Sequence, residues 1–207
     1  MFTGIVTEVG NILSIDERSG RRVVISTIMD PEKIAMGASI ACSGVCLTVV
    51  DKGGAPGEAW FAVDVSDETV ARTAPAQWQA GAPINLEPAL KLGDELGGHI
   101  VTGHVDGIGT VVGTCPEGAS LKVGISAPAD LAPYIAAKGS ITVDGVSLTV
   151  NEIADQPDGT CHFALNLIPH TADVTTLGTL AQGRQVNLEI DVLARYLKRM
   201  QTLAAHG

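Results

Sequence analysis

Aromatic side chains are scarce in this sequence: they make up 3% of its 207 residues. Any core must therefore be assembled from Val, Ile, Leu and Ala, which dominate a hydrophobic share of 45%. Positive charge is also short. Thirteen Lys and Arg stand against 23 Asp and Glu, a net charge of −10. Phosphate-backbone binding needs a basic surface, so nucleic acid is excluded as a partner, and a multiply phosphorylated substrate is disfavoured. No apolar run approaches the length of a membrane span. The apolar start Met1–Val6 is ended by Glu8 and Gly10, so no secretory leader is read there and a cytoplasmic location is expected. The four cysteines (Cys42, Cys46, Cys115 and Cys161) form no C-x-x-C and have no zinc-finger spacing, which leaves reduced thiols and no metal. Neither a G-x-x-x-x-G-K-[ST] loop nor a G-x-G-x-x-G turn is present, so no nucleotide-phosphate cradle is expected.

What the chain does contain is itself, twice. Gly44-Val45-Cys46-Leu47-Thr48-Val49 returns as Gly145-Val146-Ser147-Leu148-Thr149-Val150. Thr3-Gly4 returns as Thr102-Gly103, Phe61-Ala62 as Phe163-Ala164, and Asn85-Leu86-Glu87 as Asn187-Leu188-Glu189. The matches keep one order at offsets of 99 to 102 residues. That period is too long for a solenoid, so two similar modules in tandem are expected, and with them two similar binding sites.

Short β-branched runs separated by Gly and Asp clusters fill both modules, as in Val23–Thr27, Ser39–Cys42, Ala59–Val65 and His162–Leu167. Such a pattern predicts small closed barrels. A short helix is predicted in each module before the repeated motif, after Asp30-Pro31 and after Ala127-Pro128. The last segment differs. Leu193, Leu197, Met200 and Ala204 are spaced four, three and four, and Tyr196 and Leu203 widen the same stripe. This predicts an amphipathic helix whose apolar face needs a partner. The Gly97-Gly98 pair marks the junction. The expected domains are residues 1–97, 98–190 and 191–207.

Six segments in order resemble the riboflavin synthase family: Met1–Val6, Ser43–Val49, Leu96–Gly107, Lys138–Val150, Leu167–Thr171 and Val186–Asp191. The resemblance implies an all-β fold of two tandem six-stranded Greek-key β-barrels with short helices and a C-terminal α-helix. It implies a homotrimer held by those helices, with lumazine synthase as a further partner it allows. It also implies a transferase that needs no cofactor. Two molecules of 6,7-dimethyl-8-ribityllumazine would dismutate, one giving a four-carbon unit to the other, to form riboflavin and 5-amino-6-(D-ribitylamino)uracil. The active site would lie between the first barrel of one subunit and the second barrel of a neighbour.

The residues suit that chemistry. Two identical substrates need two similar pockets, and holding both rings together can lower a barrier by ~7–11 kcal/mol at best. Carried over residue by residue, the resemblance implies catalytic roles for His104, Thr149, Ser39 and Cys46. It assigns substrate binding in the first copy to Gly4, Ile5, Val6, Cys46, Leu47, Thr48 and the run Asp64, Val65, Ser66, Asp67, Glu68, Thr69. In the second copy the binding residues are Gly103, His104, Val105, Lys138, Ser147, Leu148, Thr149 and the run Asn166, Leu167, Ile168, Pro169, His170, Thr171. The copies differ where identical substrates would need different fates: Ile5 becomes His104, Cys46 becomes Ser147, and Gly37 becomes Lys138. A histidine is suited to removing a proton from the methyl on carbon seven; the bland alternative is a core histidine. Cys46 is equally readable as a nucleophile or as a small buried thiol. Asp191 is readable as a helix cap, Phe2 as ring contact or core. No motif assigns a role to His99, His162 or His206. The competing function is a non-catalytic lumazine or flavin carrier, an antenna protein; a flavin reductase would lack room for a nucleotide-binding domain.

Overall fold

Each copy of the repeat folds as its own antiparallel sheet in the computed structural model, which describes residues 1–17 and 20–204. The end of the expected terminal segment, residues 205–207 with His206, lies outside the described residues. The first sheet holds β1 (Glu8–Asp16), β2 (Arg21–Thr27), β3 (Ser39–Cys42), β4 (Val45–Ala55), β5 (Glu58–Val65) and β6 (Pro83–Pro88). These close into a barrel in the order β1-β2-β5-β4-β3-β6. Closure depends on the long β4. Its start, Val45–Thr48, pairs with β3, and its remainder pairs with β5 after a bulge between Val49 and Asp51. A bulge bends the strand and so turns the barrel's corner. Strand alternation sends Ile40, Cys42, Val45, Leu47 and Val49 into the core around Phe61. The same alternation turns Ser39, Ala41, Cys46 and Thr48 to the opposite face, where Ser39 pairs with Thr48 and Ala41 with Cys46.

The second sheet departs from the expected second six-stranded barrel. It holds β7 (Gly107–Glu117), β8 (Ser120–Ala127), β9 (Ser140–Val143), β10 (Val146–Thr149), β11 (Glu152–Asp155), β12 (Cys161–Leu167) and β13 (Gln185–Ile190). Seven strands run in the order β10-β9-β13-β7-β8-β12-β11 and form an open half-barrel, curled by 190° with edges 9 Å apart. The counterpart of β4 is broken in two. β10 pairs with β9 and β11 with β12, so among the described residues no strand carries the ladder around the corner. Asn151 stands where β4 has Val50, and Asn fits a strand poorly. Pro157, which cannot donate to a ladder, follows soon after β11. The core is nonetheless continuous, with Phe163, Leu165, Leu177 and Leu188 almost fully buried.

Helices are few. The first predicted one is a 3-10 turn, Pro31–Lys33, whose Asp30 side chain accepts from the Glu32 amide. The second, Ala132–Tyr134, begins later than predicted. Two helices went unpredicted: α1 (Asp67–Arg72), capped by Ser66, and α2 (Pro169–Val174). They grow from the polar runs after β5 and β12. The terminal α3 (Val192–Ala204) buries none of its residues, and Leu193, Tyr196, Leu197 and Met200 are each at least 60% exposed. The Asp191 carboxylate accepts from the Leu193 amide and caps this helix. Among the described residues no helix is long and apolar enough to cross a membrane.

The two modules clasp reciprocally. Asn85 accepts from the Thr176 amide and donates to the Asp144 carbonyl. Asn187 accepts from the Ala74 amide and donates to the Ser43 carbonyl. Each repeated Asn thus satisfies backbone groups of the other module, which are costly to bury unpaired. A small third core of Phe2, Ala41 and Val101, with Cys46 partly buried against it, lies between the sheets.

Candidate functional site

The repeated glutamates hold the repeated Thr-Gly segments. Glu87 accepts from the Thr3 amide (2.7 Å), the Thr3 hydroxyl (2.8 Å) and the Gly4 amide (3.0 Å). Glu189 accepts from the Thr102 amide and hydroxyl (both 2.7 Å) and the Gly103 amide (3.0 Å). Both carboxylates are buried. Burial pushes both pKa values up, and the hydrogen bonds from threonine and glycine pull the other way.

Beyond these anchors each segment crosses to the opposite module. The Ser147 amide donates to the Gly4 carbonyl and the Cys46 amide to the Gly103 carbonyl, both at 2.8 Å. Val6 packs against the second core and Val105 against the first. The first module's site is therefore completed by the second copy's segment. A cavity of about 280 Å³ is lined by Cys46, Glu68, Thr69, Gly103, His104 and Val105, with Val45, Arg72 and Thr73. His104 is exposed, on a stretch between the Phe2–Val101 bridge and β7, so the core-histidine alternative does not hold. Cys46 is half-buried. The buried Cys42 is disfavoured as a thiolate, since burial pushes its pKa well up and Cys46 adds to the effect.

Other predicted residues have other places. Thr48 is exposed, two residues from Cys46 on one face of β4. Ser39 shares that face but lines a separate, largely apolar cavity of about 400 Å³ with Met29, Ile34, Pro88 and Lys91. Leu47 and Val65 point into the first core, and Leu167 into the second. Asp64 is exposed at the end of β5, Ser66 caps α1, and Asp67 lies in its first turn.

In the second module Gly4 meets Ser147 as Gly103 meets Cys46 in the first. Ile5 is 49% exposed. Leu148 is partly buried against the core, and Thr149 is exposed opposite Ser140. Asn166 donates to Glu117; Ile168 stands just before α2 without a side-chain capping bond, and the first turn of α2 carries Pro169, His170 and Thr171. Lys138 has φ +66°, a left-handed conformation that costs a non-glycine residue about 1–2 kcal/mol, where the first copy places Gly37 at φ +78°. His104 and Thr149 are not gathered at one cavity: His104 lines the first module's site, and Thr149 lies on the second module's β10.

Three features escaped the sequence reading. Glu87 and Glu189 were visible as a repeated signature but gave no hint of their anchoring role. Arg72 entered the cavity only when α1 formed. His99, which no motif marks, places Nδ1 2.7 Å from the Ser147 hydroxyl and Nε2 3.4 Å from that of Thr142. Burial lowers the His99 pKa, with Asp191 acting in the opposite sense.

The lumazine binding domain family matches the chain twice, over residues 3–89 and 102–191, one match to each crossed module, which makes this a lumazine-binding-domain protein. The chain is 47% identical to the riboflavin synthase of Brucella abortus, over 97% of this chain and 98% of that one. It is 45% identical to the riboflavin synthase of Mycobacterium tuberculosis, over 99% of this chain and 100% of that one. Among solved structures it is similar to LumP complexed with riboflavin, with TM-score 0.76 and 30% identity over 92% of this chain and 99% of LumP. The chain belongs to the riboflavin synthase family.

Proposed function

We infer that the protein makes riboflavin by dismutating two molecules of 6,7-dimethyl-8-ribityllumazine. The observation that carries this reading is the pair of crossed sites, in which Cys46 meets the segment of His104 and Ser147 meets that of Ile5. Four carbons leave one ring and appear in the other, so carbon and redox balance close within the two substrates. His104, exposed at the rim of the first module's cavity, takes the proton from the methyl on carbon seven. Thr69, Thr48 and the turn of α1 offer polar partners to the ring edge and the ribityl chain. Cys46 and Ser39 act on the donor lumazine by binding or orientation. Lys138, Ser147 and Thr149 serve the second molecule.

Stacking two rings requires the first module's face to meet the second module's face. Within one chain the pseudo-symmetric clasp holds His104 and Thr149 at different modules. A neighbouring chain supplies the missing half, and the exposed apolar stripe of α3 is the surface on which three chains assemble. In this reading residues 1–97 and 98–190 are the two lumazine-binding domains and 191–207 the assembly segment. The protein acts in the cytoplasm, and lumazine synthase, whose product it would consume, is a candidate partner.

Incubation of the purified protein with 6,7-dimethyl-8-ribityllumazine, with no metal or cofactor added, should give riboflavin absorbance and an equal amount of the pyrimidine. Stoichiometric binding without turnover would leave the carrier reading in its place.

A further inference from the structure

The segment that carries His104 is pinned at both ends. Glu189 holds its start through Thr102 and Gly103. At its end, the Asp106 amide donates to the Leu188 carbonyl at 2.8 Å, and its carboxylate accepts from the Ile190 amide at 2.9 Å. That carboxylate also receives Arg195 of α3 in a two-pronged contact, Nη1 to Oδ1 at 2.7 Å and Nη2 to Oδ2 at 2.9 Å. Asp106 is 12% exposed and Arg195 40%, so the pair is better shielded than a surface ion pair. Two parallel bonds fix direction as well as distance.

The first copy has nothing of the kind. Its equivalent of Asp106 is Thr7, whose amide and hydroxyl both donate to the Leu86 carbonyl. Among the described residues, the segment that carries a histidine is the one tied by charge to the terminal helix. Beside this tie, α3 rests on its own module near the turn Ala132–Tyr134, and none of its residues is fully buried.

We propose that Arg195 is a positioning residue: through Asp106, two residues from His104, it transmits the placement of the terminal helix to the histidine. The inference rests on the reading of His104 as the residue that moves the proton. A displacement of about 1 Å can cost about a hundredfold in rate, so a helix docked by its neighbours would set the histidine and a loose one would not.

The test uses the full-length protein, with steady-state turnover of 6,7-dimethyl-8-ribityllumazine and sedimentation run side by side. Arg195→Ala and Asp106→Asn should each lower kcat between about ten- and a hundredfold. KM should stay within about twofold, because the contact acts on the reacting geometry rather than on ground-state binding. Sedimenting mass should match the unsubstituted protein. Arg195→Lys should recover part of the rate, since an ammonium still reaches one carboxylate oxygen. The double variant should be no slower than the slower single one, because both remove one interaction. Unchanged kcat in Arg195→Ala, a loss of mass in step with the loss of rate, or losses that add in the double variant would each overturn the proposal. His104→Ala separates the two levels. Full turnover in that variant removes the reading of His104 itself, whereas an inactive His104→Ala beside a fully active Arg195→Ala removes only the role of Arg195.

Discussion

Gly44 and Gly145 pack against each other across the module boundary: a Cβ on Gly44 would stand 2.9 Å from the Gly145 amide nitrogen, and one on Gly145 would stand 2.7 Å from that of Gly44. Both have left-handed backbones, φ +84° and +82°. The repeated motif thus begins with the residue that lets the two copies touch. Gly44→Ala or Gly145→Ala should each cost about 2–4 kcal/mol, the left-handed penalty plus overpacking. Urea unfolding measures this; a change under about 0.5 kcal/mol, the level of a neutral surface substitution, would show that the boundary yields freely.

The boundary also carries a pH dependence. Burial pushes the Asp144 carboxyl up from 3.8 to about 6, against the pull of the Asn187 amide and of Arg184 at 3.7 Å. The folded value lies above the unfolded one. Its contribution to stability is therefore fully present below about pH 4 and lost as the pH rises through about 6, an effect on the order of 3 kcal/mol. Burial raises Glu87 and Glu189 in the same direction. Asp144→Asn keeps an acceptor for the Asn187 amide and removes the ionisation. Unfolding free energies measured between pH 4 and 8 should fall less steeply in that variant; parallel curves would count against the assignment.

His104→Ala should slow turnover by about 10²–10⁴-fold, the usual worth of a positioned acid or base. Because His104 sits at the rim of the cavity and is exposed, lumazine affinity measured by fluorescence should change only a few-fold. Equal losses in turnover and binding would make it a binding residue.

Deleting residues 192–207 removes the exposed stripe of Leu193, Leu197 and Met200. A helix of this length is marginal in water without packing on one face, so the full-length protein should sediment as an oligomer and the truncated one as a smaller species. An unchanged mass would refute assembly through α3.

Much of this protein is legible as a string. Periodicity predicts about half of the strands and the terminal helix, because alternation and three-four spacing are local properties of the chain. The duplication was visible in the offsets, and the divergent pairs Ile5/His104 and Cys46/Ser147 were visible at once. The open second sheet was harder to see. It turns on whether one strand stays continuous through a corner, and Val50 and Asn151 differ in how well each holds a strand there. The helices α1 and α2 are hard to see in the sequence because a six-residue helix barely establishes a period.

By itself the amino-acid sequence determined that two like modules exist, which face of each strand is apolar, and which positions have diverged between the copies. Only the tertiary structure decided that the copies cross over, so that Gly103 meets Cys46 beside His104 while Gly4 meets Ser147. The reason is physical. Glu87 and Glu189 are buried where three donors converge on each, and the reciprocal bonds of Asn85 and Asn187 draw each module onto the other's backbone. Residues about 60 positions apart in the chain, such as Cys46 and His104, share one cavity through contacts that no local pattern encodes.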